Sequence, residues 1–252
     1  MMAMELNVQV ISNNLANMTT TGYKRQRAEF QDLLYDHISR IGTQTSAQGN
    51  TLPVGIDLGS GVKTVGTPRL MTQGTLTQTS SSLDVAVQGD GFFKVQMPDG
   101  TYAYTRDGSF QMNAQGQIVN AQGNLVMPGI TVPSDSSGLS INAQGQVSII
   151  PQGSTTPTVL GQFTLTRFIN QAGLLPIGNN LFTETPASGT PQDGLPDTAG
   201  AGSLLQGNLE QSNVDSVTEI TNLIAAQRAY EMNGKVITAA DQMLSTTSNL
   251  VR

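Results

Sequence analysis

The residues able to carry chemistry are few and scattered. His37 is the single histidine, and the chain has no cysteine. Disulfides, thiolate metal sites and cysteine nucleophiles are thereby excluded. One histidine in a polar stretch reads as a surface residue, so neither a Ser-His-Asp relay nor a multi-histidine metal site is expected. Gly89-Asp-Gly91 follows an apolar run, as in a dinucleotide fingerprint. Lys94 stands where the third glycine belongs, however, and a strand pattern follows, which offers phosphate no helix N-terminus. The carboxylates are scattered, and several sit beside glycine in turns. Asp99-Gly100 and Asp107-Gly108 are explained as hairpin turns with glycine at positive φ, without a paired-acid site of the glycosidase kind. No catalytic residue, metal or cofactor is expected.

The elements that would have to position a site are more informative. Residues 215–252 read as one long helix, entered by the capping pattern Ser216-Val-Thr-Glu219 and free of proline thereafter. Leu223, Tyr230, Ile237, Leu244 and Val251 recur every seven residues, with Ala226 on the same stripe. At the other end Met1, Met4, Val8, Ile11, Leu15 and Met18 keep alternating three- and four-residue spacings, ending near Asn17 before Gly22. A rod of roughly 57 Å, at about 1.5 Å per residue, exceeds what a small core needs. Two such seams, one at each end, suggest terminal helices that pair as a coiled coil with each other or with other copies. Asn7 and Asn14 lie beside the first seam and are expected to be solvated.

Between the seams the signals change. Phe30, Leu33, Leu34, Ile38 and Ile41 allow a short second helix, and 42–61 is uncharged enough to pass for a linker. From Val62 to Thr185 alternating runs are punctuated by Asp-Gly pairs, and Asn-Ala-Gln-Gly recurs at Asn113, Asn120 and Asn142, each copy a turn feeding a strand. Residues 186–206 return to Pro, Gly, Ser and Ala. The fold class is therefore α+β: terminal helices around a central all-β body of short antiparallel strands and hairpins. Its segments are 1–34, an extended 35–61, a β domain 62–185, a returning linker 186–214 and the long helix 215–252.

Composition narrows the function. Charged residues make up 12% of the chain, where about a quarter is usual, and the net charge is −6. With no cationic run, nucleic acid is not an expected partner. Lys24-Arg25-Gln26-Arg27 is followed by Glu29 and reads as a solvated or ion-paired surface. No apolar run approaches the ~20 residues of a membrane span, and Glu5, Asn7 and Gln9 interrupt any signal-peptide core. The expectation is a cytosolic protein, or one exported without cleavage.

Several motifs carry a resemblance. Val10-Ile-Ser-Asn-Asn-Leu-Ala-Asn17 with Thr20-Thr-Gly-Tyr-Lys-Arg25 resembles the N-terminal signature of the bacterial flagellar rod and hook proteins. Gly89-Asp-Gly-Phe-Phe93 and Ala103-Tyr-Thr-Arg-Asp-Gly-Ser-Phe110 are similar to that family's central β motifs. Gly207-Asn-Leu-Glu-Gln-Ser-Asn-Val214 and Gln227-Arg-Ala-Tyr-Glu231 resemble its C-terminal motif. The match spans nearly the whole chain, and the run from Arg25 to Tyr35 points to the distal-rod branch, with hook and proximal-rod members as the alternatives. Family members usually begin a few helical turns earlier, which leaves the first helix expected here shorter than its C-terminal partner.

The resemblance implies a structural subunit of the flagellar basal body, not an enzyme. Copies would polymerise helically into a hollow, straight drive shaft crossing the periplasm. Its implied partners are itself, the proximal rod proteins, the hook protein, the P-ring and L-ring proteins and the flagellar type III export apparatus. The implied assembly interface is the two stripes: Met4, Val8, Ile11, Leu15 and Met18, with Leu223, Ala226, Tyr230, Ile237, Leu244 and Val251. A rod-specific segment, marked by Tyr35, Ile38, Ile41, Gly42, Leu52 and Pro53, would lie ordered between neighbouring subunits and stiffen the shaft. From outside the family, the competing classes are a β-rich surface adhesin and a carbohydrate-active enzyme, which would need a cleft of convergent carboxylates.

Overall fold

The computed structural model describes residues 1–39, 54–133, 135–153, 156–198 and 200–250. Among these the protein is mostly β, with two α-helices, α1 (Met2–Ala16) and α2 (Ser216–Leu250), near its ends. The chain divides into two compact units. Unit 1 comprises 1–13, 26–68 and 217–252, and unit 2 comprises 14–25 and 69–216.

Helix α2 begins at Ser216, where the capping pattern lies, belongs to unit 1 from Val217 on, and its 35 residues extend about 52 Å at ~1.5 Å each. Where a second helix was expected, the chain forms strands. Glu29–Asp32 pairs antiparallel with Val62–Gly66, and Tyr35–Ser39 with Ile56–Gly59. The helical spacing of Phe30, Leu33, Leu34 and Ile38 is overridden by a distant partner. Phe30 stands opposite Thr64 and Tyr35 opposite Gly59, and strand propensity is decided by such pairing more than by local preference. Ile56–Gly59 likewise turns part of the expected linker into strand. Ile41, Gly42, Leu52 and Pro53 lie outside the described residues.

Unit 2 is antiparallel throughout. Its largest sheet runs Leu175–Gly178, Leu181–Thr183, Tyr102–Thr105, Phe92–Gln96, Leu125–Val126, Ile118–Val119 and Gln111–Met112; Leu165–Arg167 pairs with Phe92–Gln96 and with Gln192–Gly194. A second sheet joins Ser136–Ile141, Gln146–Pro151 and Thr158–Gln162. Two smaller ladders pair Ser203–Gln206 with Val85–Gln88 and Asn208–Glu210 with Leu76–Gln78. Strands 192–194 and 203–206 thus occupy the stretch that composition reads as linker.

The Phe92-Phe93 dipeptide feeds two cores, because successive strand side chains point to opposite faces. Phe93 packs edge-on to Phe110 at 4.9 Å in a cluster that includes Val87, Val147, Leu165 and Leu204. Phe92 joins Tyr104, Phe168, Leu174 and Phe182, with Tyr104 edge-on to Phe168 at 4.8 Å. The three Asn-Ala-Gln-Gly copies form the same turn. In each, the asparagine Oδ1 accepts the backbone N–H four residues on, at Gln117, Asn124 and Gln146, and the glycine takes positive φ. Asp99-Gly100 turns the 92–105 hairpin as expected, with Gly100 at φ 82°. Asp107-Gly108 does not follow that explanation. Gly108 is needed for close approach, since a Cβ there would stand 1.7 Å from the Val85 carbonyl oxygen.

Candidate assembly interface

The two apolar stripes lie in unit 1 for most of their length. On α1, Val10 and Ile11 are buried, while Met4, Val8 and Leu15 are half-buried. Met18 falls beyond the helix in the turn that follows and is exposed. On α2, Ala226 is buried and Leu223 half-buried, whereas Tyr230 is 44% exposed, Ile237 50% and Leu244 70%. Exposure therefore rises along the helix toward its C-terminal end. Val251 lies outside the described residues. Glu5, Val8 and Gln9 of α1 and Gln227, Tyr230 and Glu231 of α2 line one cavity of about 430 Å³, so the first halves of both stripes are neighbours there.

Exposed apolar residues on α2 are not confined to one heptad line. Ile224, Met232, Val236 and Met243 are also open to solvent. A single surface helix presents its apolar stripe to its own core. The second half of α2 instead presents apolar groups on more than one side, as a helix does when several partners surround it.

The two antiparallel ladders of unit 1, 29–32 with 62–66 and 35–39 with 56–59, together called the ribbon, are the other apolar surface. Leu34, Tyr35, Ile38, Ile56, Leu58, Val62 and Val65 are all exposed on it. His37 Nδ1 lies 2.5 Å from Asp57 Oδ1 across the ribbon, and both side chains are about half exposed. The lone histidine is thus a surface residue with a carboxylate partner. It borders an open cleft of about 710 Å³ together with Asp32, Leu33, Leu34, Tyr35, Asp57 and Lys63. Among the described residues no group of three or more His, Cys, Asp and Glu side chains could hold a metal ion. No helix among them is long and apolar enough to cross a membrane.

Sequence reasoning missed a buried polar cluster in unit 2. Lys24, expected at a solvated or ion-paired surface, is ion-paired but interior: it is 1% exposed, and its ammonium donates to Glu210 Oε1 at 2.6 Å and to the Thr72 carbonyl at 2.9 Å. Arg106, also buried, lies 3.5 Å from Glu210 Oε2 and donates to the Gly89 carbonyl at 2.7 Å, with its guanidinium over the Phe92 ring. Burial lowers the pKa of both cations, and the Glu210 carboxylate opposes that shift. Asn14, expected in solvent, is buried and accepts a hydrogen bond from the Tyr23 hydroxyl at 3.2 Å. These contacts gather one residue or more from each of four motifs far apart in sequence. The presence of these distinctive short motifs was the available signal, but spacing alone does not say that they meet.

Comparisons with known proteins follow the same motifs. Residues 1–24 match the family described as flagella basal body rod protein, and residues 86–149 match the flagellar hook protein FlgE/F/G D1 domain. Residues 205–250 match the C-terminal family of flagellar basal body rod FlgEFG proteins. The chain is 53% identical to a flagellar basal-body rod protein FlgG of Caulobacter vibrioides, over 99% of this chain and 95% of that one. It is 37% identical to the protein of the same name in Bacillus subtilis, over 97% and 93%. To the flagellar hook-basal body complex protein FlhP of Bacillus subtilis it is 31% identical, over 96% and 93%.

Proposed function

The chain belongs to the flagellar basal-body rod protein family, a family of structural subunits and not of enzymes, and on that premise we propose that it builds the distal rod. Copies polymerise helically into a hollow, straight shaft that transmits torque from motor to hook. The observation that carries this reading is the second half of α2, where Val236, Ile237, Met243 and Leu244 are all at least half exposed in the single chain. Removing apolar surface from water is worth about 25 cal/mol per Å², so helices of neighbouring copies that cover these groups stabilise the polymer.

In this reading the terminal helices pair as a coiled coil and form the inner tube. Met4, Val8, Ile11 and Leu15 face Leu223, Ala226, Tyr230, Ile237, Leu244 and Val251 of the same or adjacent copies. Met18, beyond the end of α1, contributes from the turn. The β body forms the outer wall, turning inside the P-ring and L-ring. The proximal rod proteins and the hook protein cap the two ends of the polymer. Export proceeds through the flagellar type III apparatus without signal cleavage, into the periplasm. The rod-specific segment, marked by Tyr35, Ile38, Ile41, Gly42, Leu52 and Pro53, lies between neighbouring subunits and resists the sliding that bending requires.

Electron microscopy of the purified chain at high concentration tests the reading. Straight hollow tubes are expected. A chain that stays monomeric at every concentration, or forms only curved tubes, would overturn it.

A further inference from the structure

Residues 203–213 lie close to the end of unit 2 in the chain, and they bind segments from all over it. Ser203–Gln206 pairs with Val85–Gln88, and Asn208–Glu210 with Leu76–Gln78. Leu204, 1% exposed, completes the larger core, and its N–H donates to the Ala143 carbonyl. The Gln206 side chain donates to the carbonyls of Ser82 and Leu139 and accepts from the Ile141 N–H. The Glu210 carbonyl accepts from Gly22, and Gln211 donates to the Thr75 carbonyl. The fit leaves no slack at Gly74, where a Cβ would stand 1.9 Å from the Gln211 carbonyl oxygen.

At the centre of this strap sits one carboxylate between two buried cations. Glu210 Oε1 accepts from the Lys24 ammonium at 2.6 Å and from the Gly74 N–H at 2.9 Å, and Oε2 faces Arg106 at 3.5 Å. Among the described residues the salt bridges of Lys24 and of Arg106 both run to Glu210. A buried charge that loses its ion-pair partner costs far more than a lost surface pair. Without the strap, Lys24 and Arg106 would both lose the carboxylate they share.

We propose that residues 203–213 act as a charge-latched strap: unit 2 closes only when the Glu210 carboxylate docks between Lys24 and Arg106, so that closure waits for this late segment of the chain. Partial chains lacking the strap are thereby held open instead of collapsing onto a wrong partner. Lys24 and Arg106 are brought to the site by the two segments flanking Gly22 and Asp107, so the latch also joins the entry of the chain into unit 2 to its exit.

Amide hydrogen exchange on the full chain tests this. Reporter amides are Gly22, Leu204, Gly207 and Gln211, whose hydrogen bonds tie the strap to the rest of unit 2, with the amides of strand Phe92–Gln96 as the internal reference. Glu210→Gln keeps the shape and removes the charge. It should speed the reporters by about ten-fold or more while the reference changes less, because the strap opens locally. Adding Lys24→Met removes one stranded cation and should slow the reporters again. Reporter rates equal to wild type in Glu210→Gln, or no slowing in the double variant, would overturn the proposal. If Glu210→Gln does not fold at all, a folded double variant supports the latch and an unfolded one overturns it.

Discussion

The side chain of Asn213 accepts a hydrogen bond from the backbone N–H of Arg25 at 2.7 Å, joining two positions 188 residues apart. Its amide also donates to the carbonyls of Leu70 at 2.8 Å and Thr72 at 3.0 Å. One side chain thus satisfies backbone groups of two separate segments. Each such bond contributes about 0.5–1.5 kcal/mol net. Asn213→Ala is expected to destabilise the chain by about 2–3 kcal/mol, read as a lower urea midpoint with an unchanged slope. A midpoint equal to that of the parent would show that water replaces these bonds without loss.

A pH dependence follows from Asp193. Its partial burial pushes the carboxyl pKa up, but hydrogen bonds from Lys94 at 2.8 Å and from Thr166, with the attraction of Lys94, outweigh this and leave it below the usual value. A group depressed in the folded state adds stability above its unfolded pKa, about 3.9 for Asp. That stability is lost as pH falls through the lower folded value. Because the Asp193 side chain is 44% exposed, the contribution is at most about 1 kcal/mol. Lys94→Met should therefore lower stability at neutral pH and flatten the decline between about pH 5 and pH 2. Parallel stability curves for the two proteins would contradict the assignment.

Leu244 separates folding from assembly. It is 70% exposed in the single chain, so Leu244→Asp should leave the thermal midpoint of the monomer nearly unchanged. Burying the introduced carboxylate against neighbouring helices is costly, and polymer formation should fail. Sedimentation shows the loss. Normal polymers would mean that this side of α2 faces solvent in the rod.

The ribbon predicts the shape of the polymer. Removing Tyr35–Pro53 alone would leave Ile56–Gly59 without its paired strand, so the informative deletion is Tyr35–Gly59. Polymers of that variant should still form, because α1 and α2 are untouched, but should be curved in electron micrographs. Straight polymers would show that stiffness originates elsewhere.

The terminal helices, the 92–105 hairpin and the repeated Asn-Ala-Gln-Gly turns were legible because their causes are local. Heptad spacing, a capping pattern, an Asp-Gly pair and an asparagine that binds its own backbone act within a few residues. The same local logic failed at Phe30 to Ile38, where helical spacing lost to strands 62–66 and 56–59, and at 186–206, where a composition like that of a linker conceals the strand that carries Leu204 into the core.

By itself the sequence determined the two apolar helical stripes, the turn-rich β body, the absence of thiol chemistry and the motifs that place the chain in its family. Only the tertiary structure decided that Lys24, Asn14, Arg106 and Glu210 are interior, because whether a polar group is solvated or buried depends on what arrives beside it. A lysine next to two other basic residues looks like surface until a glutamate 186 positions later closes over it at 2.6 Å. The physical reason is that charge burial is permitted by a partner, and a partner at that separation leaves no local trace.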